Sequence, residues 1–495
     1  MAGDSKRSEK TPSSLTESEK ESGASTALQM APELMLDLAR KAAEILVERI
    51  EHLPGEDAWE GDFRQGLEAQ LLENPPEDGR PATEVLEQVA REVLPFATRL
   101  DHPRCFAFIP SSPTWPSVLA DFIAAGYNIN TVTWLVASGP SQLELAVIDW
   151  FRRWLDYPES AGGLFTSGGA AASLDALVAA REAAGHPERA TVYMSDQSHS
   201  VLSRAAMIIG VRPEGIRMVP SDPRTRLDME ALTRAVTEDR AAGFHPIAVC
   251  ANAGAASTGA IDPLEAMADF CEAEGIWLHV DAAYGGFAIV TERGKTLLRG
   301  IERADSIGLD AHKWFFQPYE AGCLLVKDGR TLERAFEVHH DVLQDTIWGA
   351  NHPNFADRGL QLSRSLRALK VWMSVQTFGL GAFRRAVLKG MELADRAEAY
   401  IRESPTLEIL TPVSLGIVCF RVNPTDTALD EKVLEEINRN VLVRVFWEDR
   451  ALMSSTLVGK MFSLRLCILN HTTTWNDVRE TLEATERFGQ EALSK

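Results

Sequence analysis

The stretch between about residues 101 and 390 alternates short β-rich runs with helical runs. Alternation of this kind is typical of a mostly parallel sheet that is covered by helices on both faces. Seven runs are predicted to be strands: 163–167, 190–195, 216–220, 246–251, 276–281, 305–309 and 322–327. We therefore expect an α/β protein whose large domain, residues 101–390, is built on a seven-stranded, mostly parallel sheet.

Smaller regions flank this stretch on both sides. Residues 1–27 are rich in Ser, Thr, Glu and Lys, which predicts a disordered tail. Residues 28–100 contain an amphipathic helix from Pro32 to Leu53 and a second helix near 84–94, but no strand. We interpret them as a helical arm that packs on the main body or on a partner subunit.

A smaller α+β domain is predicted at the C-terminus, over residues 391–495. Its expected elements are helices at 429–438 and 475–490 and strands at 416–422, 441–447 and 462–469.

Composition excludes several functions. The 495 residues carry a formal net charge of −21, so binding to nucleic acid phosphates or anionic lipid is not expected. No apolar stretch is long enough for a membrane span or a secretory signal. The six cysteines are scattered singly, which is typical of core residues in a reducing compartment. We expect a cytoplasmic protein.

The strand that ends in SIGLDAHKW, Ser306–Trp314, carries a lysine into a group of polar residues. In α/β sheets the ligand crevice lies beyond the carboxyl ends of the strands, where Asp310, His312 and Lys313 are expected. A lysine in that position is a candidate reacting amine. Alone, it could equally extend from a strand end into solvent.

Three more strand ends carry candidate groups. GLFTSGGAAASL, Gly163–Leu174, leads from a strand through a glycine turn into a helix, and the free N–H groups at such a helix start suit a phosphate. Asp281, in WLHVDAAYGG, needs a cation such as a protonated pyridine nitrogen, unless it only caps a turn. His199, in SDQSHS, could stack on an aromatic cofactor or be structural.

A metal site made of His279, Asp281 and His312 is an alternative. It would leave Lys313 and the glycine turn without a role, so no metal is expected.

A phosphate cradle, an imidazole, a carboxylate and a lysine together describe a site for pyridoxal 5'-phosphate. The ordered motifs GLFTSGGAAASL, SDQSHS, HVDAAYGG and DAHKW resemble those of the group II pyridoxal-phosphate-dependent decarboxylases, the family of aromatic-L-amino-acid decarboxylase and glutamate decarboxylase. The resemblance extends from about residue 60 to the C-terminus, through HPRCFAFIPSS, LQLSRSLRALKVW and LRLCILNHTTT. It implies the pyridoxal-phosphate-dependent transferase-like fold (aspartate aminotransferase type I) and a homodimer with active sites at the interface, to which the arm contributes.

The resemblance also implies residue roles. Lys313 resembles the Schiff-base lysine, Asp281 the partner of the pyridine nitrogen, His199 the histidine that stacks on the ring and faces the substrate carboxylate, and Ala283 the small residue on the opposite ring face. The residues expected to contact the cofactor are Ser167, Gly168, Gly169, Ala170, His199, Asp281, Ala283, Asp310, His312 and Lys313.

Two departures from the family concern hydroxyl groups. Many members have Thr where this chain has Ala170, and Thr-Thr where it has Ala255 and Ala256. Two contacts to the cofactor could therefore be missing, unless Ser257 and Thr258 substitute for them.

A third departure lies in residues 335–346, which resemble the mobile catalytic loop. The tyrosine that returns a proton to the product in many members corresponds here to Val342, which cannot donate. Either His339 or His340 supplies the proton, or oxygen intercepts the reaction and the product is an aldehyde.

The positions that match the family's substrate wall are mostly apolar and include no cation. They are Leu100, Phe108, Ile109, Pro110 and Ser111, with Val132 and Trp134 reaching over from the second subunit. This favours decarboxylation of an apolar or aromatic L-amino acid to an amine and carbon dioxide. The alternatives are the aldehyde-forming reaction and a non-catalytic dimeric scaffold.

Overall fold

The structure is a computed structural model that describes residues 28–72, 74–110, 112–337, 352–425 and 428–494. The chain forms two compact units. One consists of the described residues up to Gly55 together with Glu60–Ala97, and the other of Glu56–Trp59 and the residues from Thr98 onward.

The N-terminal unit contains three helices, α1 (Pro32–His52), α2 (Arg64–Leu71) and α3 (Ala82–Glu92). Proline occupies the first turn of α1, where its missing N–H group is not needed. The positions of α1 and α3 agree with the two predicted helices to within two residues. None of the three helices has a buried residue within the described chain.

The larger unit is organised around a seven-stranded sheet, as predicted. Its strands are β1 (Gly162–Thr166), β2 (Ala190–Ser195), β3 (Ile216–Val219), β4 (His245–Asn252), β5 (Trp277–Asp281), β6 (Ser306–Asp310) and β7 (Gly322–Val326). Their order is β1-β7-β6-β5-β4-β2-β3, and β7 alone runs antiparallel to its two neighbours. Every strand lies within one residue of its predicted position.

Helices connect and cover these strands. They are α4 (Trp115–Gly126), α5 (Trp134–Trp154, broken at Ala137), α6 (Gly169–Ala183), α7 (Ser200–Ile208), α8 (Met229–Ala241), α9 (Leu264–Glu274), α10 (Glu292–Leu297), α11 (Arg330–Phe336) and α12 (Ala368–Phe378). Strands β2, β6 and β7 are buried along their whole length, which is typical of a sheet covered on both faces. Helix α6 ends before Gly185, whose φ of 72° is the left-handed stop that the sequence predicts.

A second, antiparallel sheet follows. Helix α13 (Leu380–Glu403) spans the predicted boundary at residue 390 and leads into β8 (Leu407–Ile409), β9 (Ile417–Val422), α14 (Glu431–Glu448), β10 (Ser454–Val458), β11 (Met461–Cys467) and α15 (Trp475–Leu493). The strand order is β10-β11-β9-β8. This sheet packs with the helices around a hydrophobic core of its own, as expected for a small α+β domain.

The predicted strand at 441–447 is wrong, because these residues form the second half of α14. The run VLVRVFW is rich in β-branched residues, which favours a strand when it is read locally. In the structure Val441 and Val445 lie one helical turn apart and are buried, whereas Val443 and Trp447 are exposed. Burial of one helical face therefore overrides local β propensity.

No helix in the described parts of the chain has the length and apolar character needed to cross a membrane.

Candidate active site

The predicted site residues follow strands that run in one direction. Strands β1, β2, β4, β5 and β6 are mutually parallel, so their carboxyl ends lie at one edge of the sheet. That edge therefore carries the glycine turn after β1, His199 after β2, Asp281 at the end of β5, and Asp310 and Lys313 at the end of β6. The sheet brings together groups that are far apart in sequence.

Lys313 lies in a tight turn that closes directly after β6. Its Nζ atom is 3.0 Å from Oδ2 of Asp310, a carboxylate that is only 2% exposed. Burial alone would lower the pKa of Lys313, but the charges of Asp310 and Asp281 outweigh burial, so the pKa of this amine lies above its ordinary value. The carboxylate thus orients the lysine and keeps it protonated.

His312 lies beside this pair and is almost fully buried. Its Nδ1 atom accepts a hydrogen bond of 3.1 Å from the Ala321 amide, and its Nε2 atom is 3.6 Å from Oδ2 of Asp310. Burial lowers the pKa of His312 below its ordinary value, so the ring is neutral at neutral pH and its hydrogen is on Nε2.

The glycine turn before α6 approaches these residues closely. A Cβ atom placed on Gly168 would be 3.2 Å from Cε1 of His312. One placed on Gly169 would be 3.1 Å from Oδ2 of Asp310 and 3.0 Å from Cβ of Ala283. No side chain caps the start of α6, so its first N–H groups are available to an anion, as the predicted cradle of Ser167, Gly168, Gly169 and Ala170 requires.

Asp281 ends β5 with a carboxylate that has little protein partnership. Its Oδ1 atom accepts a hydrogen bond of 3.1 Å from the Ala283 amide. Among the residues that the structure describes, it has no ion-pair partner within 4.0 Å. A half-buried carboxylate without such a partner can accept a cationic ring nitrogen, and this role of Asp281 stays a prediction.

His199 caps the start of α7. Its Nδ1 atom accepts a hydrogen bond of 3.3 Å from the Val201 amide, which leaves Nε2 to carry the hydrogen, and the ring is exposed. Ser198 next to it accepts a hydrogen bond of 3.1 Å from the Asn252 side chain, and Asn252 pairs with Asp281 in the sheet. His199 is therefore held near Asp281, and its stacking role stays a prediction.

The two hydroxyls proposed as substitutes have other partners. Thr258 is buried, and its Oγ1 atom lies 2.9 Å from Oγ1 of Thr225. Ser257 donates a hydrogen bond of 3.0 Å to Oε1 of Gln197. The suggestion that Thr258 replaces a cofactor contact is therefore wrong, because its hydroxyl is enclosed in the core.

Part of the predicted substrate wall is held by an arginine that the sequence reasoning missed. Arg465 donates a hydrogen bond of 2.9 Å to the Phe108 carbonyl and also bonds the Ala256 carbonyl. Phe108 is 60% exposed and has a φ of 59°, an unusual conformation for a bulky residue. An arginine within the apolar strand FSLRLC was the sequence signal for this anchor. Arg465 thus holds the backbone of residue 108 next to that of residue 256.

The remaining predicted wall residues are less well connected to the site. The Val132 carbonyl accepts a hydrogen bond of 3.0 Å from Ala356, and the Trp134 ring stacks on His352 with 4.3 Å between ring centroids. Their place in the substrate pocket stays a prediction, as does that of Leu100. Ser111, His339, His340 and Val342 lie outside the described residues, and so does most of the predicted loop.

His279, which the metal alternative would use, has a structural partner. Its Nδ1 atom lies 2.9 Å from Oγ of Ser306, and burial lowers the pKa of His279 to about 4. Within the described ranges, no group of three or more His, Cys, Asp or Glu residues is placed to hold a metal ion.

These residues fit pyridoxal phosphate. Lys313 offers an amine for its aldehyde, Asp281 a carboxylate for its ring nitrogen, and the start of α6 a set of N–H groups for its phosphate. Gly168 and Gly169 leave the space that any larger residue would fill. One buried oxygen of the site, Oδ1 of Asp310, also has no hydrogen-bond partner among the described residues.

Known proteins provide independent evidence. The model of the pyridoxal-dependent decarboxylase conserved domain matches residues 65–423. An aromatic-L-amino-acid decarboxylase of Bacillus atrophaeus is 37% identical over 94% of this chain and 97% of its own length, and a phenylacetaldehyde synthase of Arabidopsis thaliana is 32% identical over 87% and 90%. A crystal structure of Oryza sativa TDC with PLP and tryptamine superimposes with a TM-score of 0.90 at 28% identity, over 94% of this chain and 99% of that one.

The family model covers well over half of the chain, and the solved structure confirms the pyridoxal-phosphate fold that the motifs imply. The chain belongs to the pyridoxal-phosphate-dependent amino acid decarboxylases, and pyridoxal 5'-phosphate is its cofactor.

Proposed function

We propose that this enzyme decarboxylates an L-amino acid with an apolar, most favourably aromatic, side chain and releases the amine and carbon dioxide. The observation that carries the proposal is the apolar character of the predicted wall residues Phe108–Pro110, whose neighbouring arginine, Arg465, is already bonded to backbone carbonyls. Among the described residues of this wall, Phe108–Pro110 carry no charge that could pair with a charged substrate side chain. The names of the relatives, among them aromatic-L-amino-acid and tyrosine decarboxylases, support an aromatic substrate.

In this proposal four polar residues of the site have distinct tasks. Lys313 is the amine that holds the cofactor, and Asp310 orients it. Asp281 keeps a proton on the ring nitrogen, and Nε2 of His199 faces the substrate carboxylate. When bound, pyridoxal phosphate supplies an electron-accepting ring for the electrons released as carbon dioxide leaves.

The test is a screen in which amine, carbon dioxide and oxygen are measured in parallel. Tryptophan, tyrosine, phenylalanine, leucine and glutamate are the substrates, and Lys313→Ala is the inactive control. We expect amine and carbon dioxide in equal amounts from an aromatic substrate, without oxygen uptake, and no reaction with glutamate. Turnover of glutamate in preference to the aromatic substrates would contradict the proposal.

The aldehyde-forming reaction is a second candidate. The sequence observation that favours it is Val342 at the tyrosine position of the loop, and a phenylacetaldehyde synthase is among the relatives at 32% identity. It predicts oxygen uptake with aldehyde, ammonia and peroxide in place of amine, so the same screen distinguishes the two. A non-catalytic scaffold would produce neither set of products with any substrate.

A further inference from the structure

Tyr319 is a polar residue of the site that has not been given a role. Its ring packs against His312, with 4.6 Å between ring centroids and an angle of 42° between planes. The side chain is 56% exposed in the single chain. An aromatic ring that belongs to the active-site turn and remains half open is available to a ligand.

The backbone around Tyr319 is fixed by a buried lysine. Lys370, on α12, is only 3% exposed, and its Nζ atom donates hydrogen bonds of 3.3 Å to the Pro318 carbonyl and 3.1 Å to the Glu320 carbonyl. It also forms an ion pair of 2.8 Å with Asp121. Burying an ammonium group is costly unless it is well paired. Here the buried ammonium holds the carbonyl groups of the two residues next to Tyr319, which preorganises this part of the backbone.

His312 is close to both Tyr319 and the phosphate cradle. One part of its ring faces Gly168, where a Cβ atom would be 3.2 Å away, and Tyr319 packs on the ring as well. Tyr319 therefore belongs to the same wall of the site as the turn that begins α6.

The cradle itself supplies one hydroxyl, that of Ser167, and the neighbouring positions add few others. Ala170, Ala255 and Ala256 have none, Ser257 is bonded to Gln197, and Thr258 is enclosed with Thr225. A phosphate dianion has more acceptor positions than the backbone N–H groups at one helix start can fill. A phenol beside the cradle would supply a further donor.

We propose that Tyr319 is a cofactor-binding residue whose hydroxyl donates a hydrogen bond to the phosphate of pyridoxal phosphate. The part of the Tyr319 ring that is shielded from solvent, together with the nearby Asp310 carboxylate, raises the pKa of Tyr319 in spite of the opposing charge of Lys313, so the phenol keeps its proton at neutral pH and can donate it. The proposal goes beyond the reaction assigned above, because it holds for any substrate and for either product.

The experiment compares two ligands that differ only in the phosphate. Apoprotein of the wild type and of Tyr319→Phe is titrated with pyridoxal 5'-phosphate and with pyridoxal, and binding is followed by absorbance. We expect the dissociation constant for pyridoxal phosphate to rise about tenfold in the variant, the size of one hydrogen bond to a charged group, while that for pyridoxal stays within about twofold. Inorganic phosphate should likewise compete less well for the variant.

Two further variants serve as controls. Tyr127→Phe removes a phenol that is 79% exposed at the end of α4, and it should bind both ligands as the wild type does. Lys370→Met releases the backbone beside Tyr319 and should weaken pyridoxal phosphate more than pyridoxal. If Lys370→Met does not fold, the comparison of Tyr319→Phe with the wild type is sufficient to test the proposal.

Two outcomes of the titration would overturn the proposal. Unchanged affinity for pyridoxal phosphate would show that the hydroxyl makes no contact with the phosphate. An equal loss for both ligands would show that Tyr319 acts on the ring or on His312. Neither outcome depends on which amino acid is decarboxylated. An error in the substrate assignment would appear only in the substrate screen described above.

Discussion

At the scale of single residues, Lys313 is subject to opposing effects. Burial favours the neutral amine, whereas the charges of Asp310 and Asp281 favour the ammonium and prevail. The lysine must nevertheless lose a proton before it can act as a nucleophile. The carboxylate that orients Lys313 therefore also limits its reactivity at neutral pH.

Asp310→Asn removes the nearer of the two negative charges that raise the pKa of Lys313. The effect of burial, which lowers this pKa, should then count for more. The pKa of Lys313 should then fall, so that the amine becomes reactive at lower pH than in the wild type. The measurement is the pH dependence of Lys313 labelling in the apoprotein by an amine-reactive reagent, read by mass spectrometry. Asp328→Asn, which removes a surface carboxylate paired with Arg330, is the control and should leave the profile unchanged. The same midpoint in Asp310→Asn and the wild type would contradict this view of the pair.

Asp281→Ala tests the carboxylate at the end of β5. Without it the cofactor ring nitrogen has no counter-ion, so cofactor retention and turnover should fall together, turnover by roughly 100-fold or more. Absorbance after dialysis reports retention, and amine release reports turnover. Asp281→Asn, which keeps the shape without the charge, should resemble Asp281→Ala; an unchanged rate in both would remove Asp281 from the mechanism.

At the scale of elements, a buried ion pair connects α5 with β1. Arg364 and Glu144 are both fully buried, with 2.6 Å between Nη2 and Oε1, and Arg364 also donates a hydrogen bond of 2.7 Å to the Phe165 carbonyl. Phe165 lies on the strand that leads into the phosphate cradle. The ion pair therefore fixes the position of β1, the strand that leads into the cradle.

Arg364→Met should destabilise the protein by about 3–5 kcal/mol, because it leaves the Glu144 carboxylate buried without a partner. Adding Glu144→Leu should recover part of that loss, since both charges are then absent. Arg358→Met breaks a less deeply buried pair with Glu333 and should cost less than Arg364→Met. Thermal unfolding midpoints of the three variants give the order. Equal midpoints for Arg364→Met and Arg358→Met would show that loss of the fully buried pair costs no more stability than loss of the other pair.

Asp175 connects α6 to the segment that follows the predicted catalytic loop. It accepts a hydrogen bond of 3.4 Å from the Leu360 amide, and burial raises its pKa from 3.8 to about 7. The folded state therefore binds this proton more tightly than the unfolded state. The stability that this gives is complete below about pH 4 and is lost as the pH rises towards 7.

Asp175→Asn keeps the shape of the side chain but cannot ionise. Relative to the wild type, the variant should gain stability as the pH is raised from 5 to 8, by roughly 2–4 °C in thermal midpoint. Midpoints measured at the two pH values test this. A difference between variant and wild type that does not change with pH would mean that Asp175 is not the titrating group.

Local patterns in the sequence predicted the strands and pointed to candidate groups at their ends, because each strand is an apolar run that ends in polar residues. Lys313 and Asp281 could be found in this way, since parallel strands bring their ends to one edge of the sheet. Tyr319 and Arg465 could not, because their positions depend on Lys370 and on backbone carbonyls far away in the sequence. The helix at 441–447 was missed for the same reason, since only packing reveals which of its faces is buried.

At the scale of the whole molecule, the N-terminal unit needs a surface to cover it. Helix α1 has 21 residues and no buried side chain. Leu36, Val47 and Ile50 are 65%, 43% and 50% exposed and, at 100° per residue, fall within about 60° of one another around the helix. A continuous apolar stripe of this kind is rarely left in water. We infer that a second copy of the chain covers it, in line with the predicted homodimer.

Leu36→Glu with Ile50→Glu places two charges on this stripe. If the stripe forms the subunit interface, the double variant should be a monomer at concentrations where the wild type is a dimer, because an unpaired buried carboxylate is costly. Light scattering after size exclusion gives the mass. Leu457→Glu, a change at an exposed leucine of β10 in the small domain, should leave the dimer intact. A double variant that stays dimeric but melts at a lower temperature would instead mean that the arm packs on its own subunit.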